Sequence, residues 1–187
     1  MITQISYPIY ITDIFHEEFL KKNVWLVILH AQRIPPHIGI MIDGNYNSLT
    51  IKGHELNIQN EVISKIIQKK KIETLFIQLK IHPVFSNEYL REVFQLQIQQ
   101  FKQVKSEEAT CLNPIKLFLE EFYGLILNKS ELLFELVERL IQNQYISKIA
   151  TLNLDNIEIG EPFTLPRYSS DQLQEVIKSE RSSYYSD

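Results

Sequence analysis

Pro35-Pro36-His37-Ile38-Gly39-Ile40-Met41-Ile42-Asp43-Gly44-Asn45-Tyr46-Asn47-Ser48-Leu49-Thr50-Ile51 decides the fold. From Ile38 to Ile42 every position except Gly39 is apolar, and the return segment from Tyr46 alternates through Leu49 and Ile51. Asp43-Gly44-Asn45 supplies a turn between them, so the stretch reads as a β-hairpin. The apolar positions also choose a register. A two-residue Gly44-Asn45 loop pairs Ile40 with Leu49 and Ile38 with Ile51, whereas a three-residue loop sets Ile40 against Ser48 and turns the side chains to the wrong face. On the first register the isoleucines and Leu49 enter a core. His37, Gly39 and Met41 then share a more polar, ligand-accessible face with Ser48, Thr50 and Lys52, and Gly39 leaves room beside the imidazole.

Upstream, Val24-Trp25-Leu26-Val27-Ile28-Leu29-His30 is a continuous apolar run too short for a typical helix, and it predicts a buried strand ended by Pro35-Pro36. Downstream, apolar residues at helical spacing predict helices over 60–71 (capped by Asn60), 86–104 (capped by Ser86), 114–123 (ended by Gly124) and about 130–143 (capped by Ser130). A strand is expected over 74–81, and 145–159 reads either as an added strand or as an ordered tail. The expected fold class is α+β: a small, mainly antiparallel sheet built on the His37 hairpin and packed against several helices. Residues 1–165 read as one domain. Residues 166–187, rich in Ser, Tyr, Gln and Glu, read as a polar, mobile tail or an arm that orders against a partner, with aromatic content suited to a homodimer contact.

At 187 residues the chain can bury one substantial core. A net charge of -4 argues against nucleic acid as a partner, because phosphate binding needs a basic excess. Lys69-Lys70-Lys71 reads as a solvated helix end. No basic-then-apolar leader and no long apolar span are present, so neither export nor membrane insertion is expected. One cysteine in the whole chain allows no internal disulfide and fits a reducing, cytoplasmic setting. His16, His30, His54 and His82 form no metal-ligand spacing and no glycine-rich phosphate loop occurs, so no cofactor and no metal are expected.

That cysteine, Cys111 in Ala109-Thr110-Cys111-Leu112-Asn113-Pro114, lies near a predicted helix start, where the dipole and free N–H groups favour a thiolate. Asn113-Pro114 reads as N-cap and first helical residue, which sets Cys111 about three residues ahead of the helix. A strand opening His37-Ile38-Gly39-Ile40-Met41-Ile42, Tyr46 in the return strand and a late Cys111 beside a helix start together resemble the circularly permuted papain-like superfamily. That superfamily includes permuted NlpC-type peptidases and lecithin:retinol acyltransferase-like enzymes, and the resemblance spans roughly residues 24–123. It implies Cys111 as nucleophile and His37 as general base. The Cys111 amide would help hold an oxyanion, and a third polar group would come from the return strand. Thr50 and Ser48 are the candidates for that third group, with His54 reaching back from the strand end as the other. The expected function is a thiol hydrolase or acyltransferase acting on an amide or ester of a peptide, lipid or protein substrate. The alternative is a non-catalytic interaction module that presents the hairpin face and the tail to a protein partner.

Overall fold

The computed structural model describes residues 8–128, 130–154 and 157–184; the extreme N-terminal segment read above for a leader, and the last residues of the polar tail, lie outside the described residues. The fold is α+β. Seven strands form one mixed, mainly antiparallel sheet: β2 (Asp13–Ile14), β3 (Val24–Leu29), β4 (His37–Ile42), β5 (Asn45–Thr50), β6 (Gly53–Gln59), β7 (Thr74–Leu79) and β8 (Ile146–Leu152). Their spatial order is β2-β8-β7-β3-β4-β5-β6, with β2 parallel to β8 and the remaining pairs antiparallel. A two-stranded sheet of β1 (Ile9–Tyr10) and β9 (Pro162–Phe163) stands apart.

Both faces of the large sheet are covered. On one, Leu26, Ile28, Ile38, Ile40, Ile42, Leu49, Leu75 and Ile77 meet the apolar stripes of α2 (Asn87–Gln99), α3 (Leu112–Tyr123) and α4 (Leu133–Gln142), together with Ile177 of α5 (Ser170–Tyr184). On the other, Trp25, Val27, Met41, Tyr46 and Phe76 pack on Ile63 and Ile67 of α1 (Asn60–Lys70) and on Leu20 of a short 3-10 turn. The sheet is therefore larger than expected, and the face read as polar and accessible is instead half of a second core. Met41, Tyr46 and Ser48 on it are buried. The alternation in 45–50 could not reveal this, because the covering residues come from 15–21 and 60–72, remote in sequence.

The hairpin register also differs. Ile42 pairs with Asn45, Met41 with Tyr46 and Ile40 with Asn47, so Asp43-Gly44 and not Gly44-Asn45 make the turn. Both turn residues have positive φ, 44° at Asp43 and 77° at Gly44, as a tight hairpin of matching twist requires. The Asp43 carboxylate accepts the Asn23 N–H at 2.8 Å and the Asn87 side-chain N–H at 2.8 Å, which fixes the turn. The slip is two residues, so it preserves which side chains face which layer.

Gly39 is needed for space, because the Tyr46 ring crosses directly over it. A Cβ there would lie 2.5 Å from Tyr46 Cε2, Cζ and Oη. The room expected beside the imidazole is thus already filled. Gly39→Ala is expected to cost about 2 kcal/mol through overpacking, read as a lower urea midpoint at unchanged m-value.

The helices follow their sequence signals with shifted ends. Ser86 caps α2 and accepts the Tyr89 N–H at 3.3 Å, and Gly124 ends α3 in the left-handed region. α1 starts at Asn60 rather than after it, α2 stops at Gln99, and α4 begins at Leu133 with Ser130 outside it. Residues 146–152 form the added strand, and 170–184 form α5 where a polar tail was expected.

Candidate functional site

Strands β4 and β5 form a ladder of only three pairs, Ile40 to Ile42 with Asn45 to Asn47, although β4 begins at His37 and β5 ends at Thr50. Beyond that ladder β5 pairs only with β6. The parted end is where α3 starts. Cys111 occupies the N-cap position, directly before Leu112, so the sulfur sits at the helix start and not three residues ahead of it. The reason lies in Thr110 and Asn113. The Asn113 carboxamide oxygen accepts both the Thr110 N–H and its hydroxyl, each at 2.8 Å, while the Thr110 hydroxyl accepts the Leu112 N–H at 3.2 Å. This clasp winds the chain before Pro114, and Pro114, lacking an N–H, falls in the first turn where none is needed.

Backbone N–H groups of Ile38 and of Cys111 itself favour the thiolate. Burial outweighs them and pushes the thiol above its ordinary range. His37, one residue from that amide, is held low, to about 4, first by burial and then by His30 and Arg33. Its Nε2 is sealed from solvent without a hydrogen-bond partner among the described residues. At neutral pH the two groups are therefore a thiol and an uncharged imidazole.

Both line a cavity of about 430 Å³ at this end of the sheet. Its apolar wall comprises Ile38, Ile51, Leu112, Leu133, Leu173 and Ile177, and Arg33, Glu55 and Glu180 lie among its charged residues. This size is typical of small-ligand sites.

The other expected residues are placed otherwise. Thr50 lines the cavity, but its hydroxyl donates to the Gly53 carbonyl at 3.1 Å and accepts the Lys52 N–H at 3.1 Å, which commits it to the β5–β6 turn. Ser48 donates to the Glu55 carboxylate at 2.8 Å. The His54 Nε2 meets the Phe101 carbonyl at 2.5 Å, on the outer side of β6. None of the three is hydrogen-bonded to the His37 Nε2.

Two residues at the site were not anticipated. Glu55 reaches the cavity from β6, a strand whose only sequence sign is the Leu56/Ile58 alternation after the Lys52-Gly53 turn. Tyr168 enters from the segment before α5, where burial raises its phenol and a Cys111 thiolate would raise it further. Among the described residues, no three His, Cys, Asp or Glu side chains are grouped to hold a metal ion, and no helix is long and apolar enough to cross a membrane. Comparison with family models, with curated proteins and with solved structures finds no match to this chain.

Proposed function

We propose that this protein is a thiol hydrolase or acyltransferase of the permuted papain-like type, acting on an amide or ester carbonyl. The observation that carries the reading is the meeting of Cys111, at the start of α3, with the first residues of β4 at one cavity. A cysteine at a helix N-terminus and a histidine with an unpartnered nitrogen on one cavity are the two groups acyl transfer requires.

The neutral resting pair sets the order of events. As the sulfur attacks the carbonyl carbon, its proton passes to the His37 imidazole and the carbonyl π electrons move onto oxygen, with the Cys111 amide suited to hold that oxyanion. Collapse re-forms the carbonyl and breaks the bond to the leaving group, which takes the proton from the His37 imidazolium. Water or an acceptor alcohol or amine, deprotonated by His37, then attacks the thioester and releases Cys111 as thiol. Burial leaves the resting imidazole uncharged and able to accept a proton but also makes it a weaker base, so the proton moves only as the sulfur bonds to the carbonyl carbon.

Incubation with p-nitrophenyl acetate followed by intact-mass analysis tests the reading. One acetyl group on Cys111, absent after prior alkylation with iodoacetamide, is the expected result. A chain that never acquires the acyl group while its thiol still alkylates in the native state overturns it. A second reading, the interaction module, is favoured by the absence of a His37–Cys111 hydrogen bond and by burial disfavouring the charged form of each. Under that reading the cavity binds a partner's side chain without turnover.

A further inference from the structure

Helix α5 lies across the cavity that holds Cys111. Along one stripe of the helix, Leu173, Ile177 and Glu180, at i, i+4 and i+7, all line that cavity, and Ile177 is only 4% exposed. Along the neighbouring stripe, Gln174, Lys178 and Arg181 pin the helix to the loop that leads into Cys111. The Gln174 carboxamide oxygen accepts the Ser106 hydroxyl at 2.9 Å and the Glu107 N–H at 2.7 Å. Lys178 pairs with Glu107 at 3.0 Å, and Arg181 donates to the Val104 carbonyl at 2.9 Å.

Arg33, from the β3–β4 connection on the His37 side, pairs with Glu180. That ion pair joins the strand side of the cavity to the far end of α5. The base of the helix is fixed differently: Tyr168 is buried, its ring meets Phe134 edge-on at 5.6 Å, and Arg167 pairs with Glu138 at 2.6 Å. So the helix has a firm apolar root and a mainly polar, partly exposed clasp, which is the pattern of a segment that opens locally without global unfolding.

We infer that α5 is an intrachain lid: rooted at Tyr168, it closes the Cys111 cavity through the Arg33–Glu180 and Gln174 contacts and opens when that clasp releases. The same loop carries Ser106 and Glu107 and runs on to Cys111, so release of the lid also frees the backbone ahead of the thiol. The inference rests on the thiol reading only for its consequence. Alkylation reports access to the sulfur, and ester turnover reports chemistry, so a lid without an enzyme and an enzyme without a lid give different results.

The test uses the full chain and the iodoacetamide alkylation rate of Cys111 at fixed pH. Glu180→Lys sets a cation against Arg33 and is expected to speed alkylation by roughly five-fold, the upper range for a partly exposed ion pair. The charge-swapped Arg33→Glu/Glu180→Lys chain is expected to return to within about two-fold of wild type. Raising salt from about 0.1 M to about 1 M, which shortens the screening length roughly three-fold, should speed wild type towards Glu180→Lys. Hydrogen exchange supplies the second readout: in Glu180→Lys, protection is lost in 170–184 and retained in β3 and β7. Equal alkylation rates in wild type and Glu180→Lys, an acceleration that the swap leaves unchanged, or loss of protection throughout β3 and β7 each overturns the lid.

Discussion

Cys111→Ala is expected to abolish acyl transfer from p-nitrophenyl acetate, and His37→Ala to slow it by about 10²- to 10⁴-fold, the usual contribution of a positioned general base. The two losses differ in kind. Cys111 is the only cysteine in the chain, so nothing replaces the nucleophile. Without His37 the thiol must ionise to solvent before it attacks, and burial has pushed that ionisation up. The histidine variant should therefore regain rate as pH rises through the thiol's titration, while wild type holds a plateau from about pH 5 upward, above the His37 value of about 4. A pH–rate profile of the same shape in both chains would remove His37 from the reaction.

Stability separates this from the module reading. Cys111 is only partly buried and lines a cavity, so its truncation to Ala should change the free energy of unfolding by less than about 1 kcal/mol. Loss of activity at unchanged stability assigns Cys111 to chemistry. Large destabilisation with no activity in either chain assigns it to packing.

The α+β class, the hairpin and the strands over 24–29, 37–42 and 74–79 were readable because each is a local pattern: a dense apolar run, or an alternation bounded by turn residues. The hairpin register was not. Apolar alternation fixes a strand only modulo two, and the choice between Asp43-Gly44 and Gly44-Asn45 depended on Asn23 and Asn87 holding the Asp43 carboxylate from distant elements. The second core was hidden for a similar reason, since Tyr46 looks like an exposed strand aromatic until Leu20, Ile63 and Ile67 are brought over it.

Residue type singled out Cys111 and His37 as candidates, and both line one cavity. It did not suffice for the local geometry. Asn113-Pro114 has the form of a cap followed by a first turn, but Thr110 and Asn113 bond reciprocally and pull the helix start back to Leu112. Thr50 and Ser48 have the right chemistry to orient an imidazole. What they bond to instead, Gly53 and Glu55, lies in a strand that the sequence signalled faintly. The lid was unreadable because α5 is strongly polar. It is held by clasp contacts to 104–107 and to Arg33, which no periodicity encodes.

Burial of His37 should also be visible in the acid stability of the fold. In the unfolded chain the imidazole titrates near 6.5, and in the fold near 4, so between those values the unfolded state binds more protons and stability rises with pH. The contribution is complete above pH 6.5, falls away as pH drops towards 4, and amounts to about 3 kcal/mol across the window at 1.36 kcal/mol per unit. His30 and Arg33 add to the lowering of His37, and His30 is itself lowered, first by burial and then by Arg33. His37→Gln, which keeps a polar side chain of similar reach but cannot titrate, should flatten this limb by about that amount in urea unfolding between pH 4 and 6.5. Carboxylates titrating in the same range are common to both chains and cancel in the difference. Parallel curves would mean that His37 reaches solvent in the native state and is not held neutral. The base would then compete with its own protonation at mildly acid pH, and the acid limb of the rate would move up from about 4 towards 6.5.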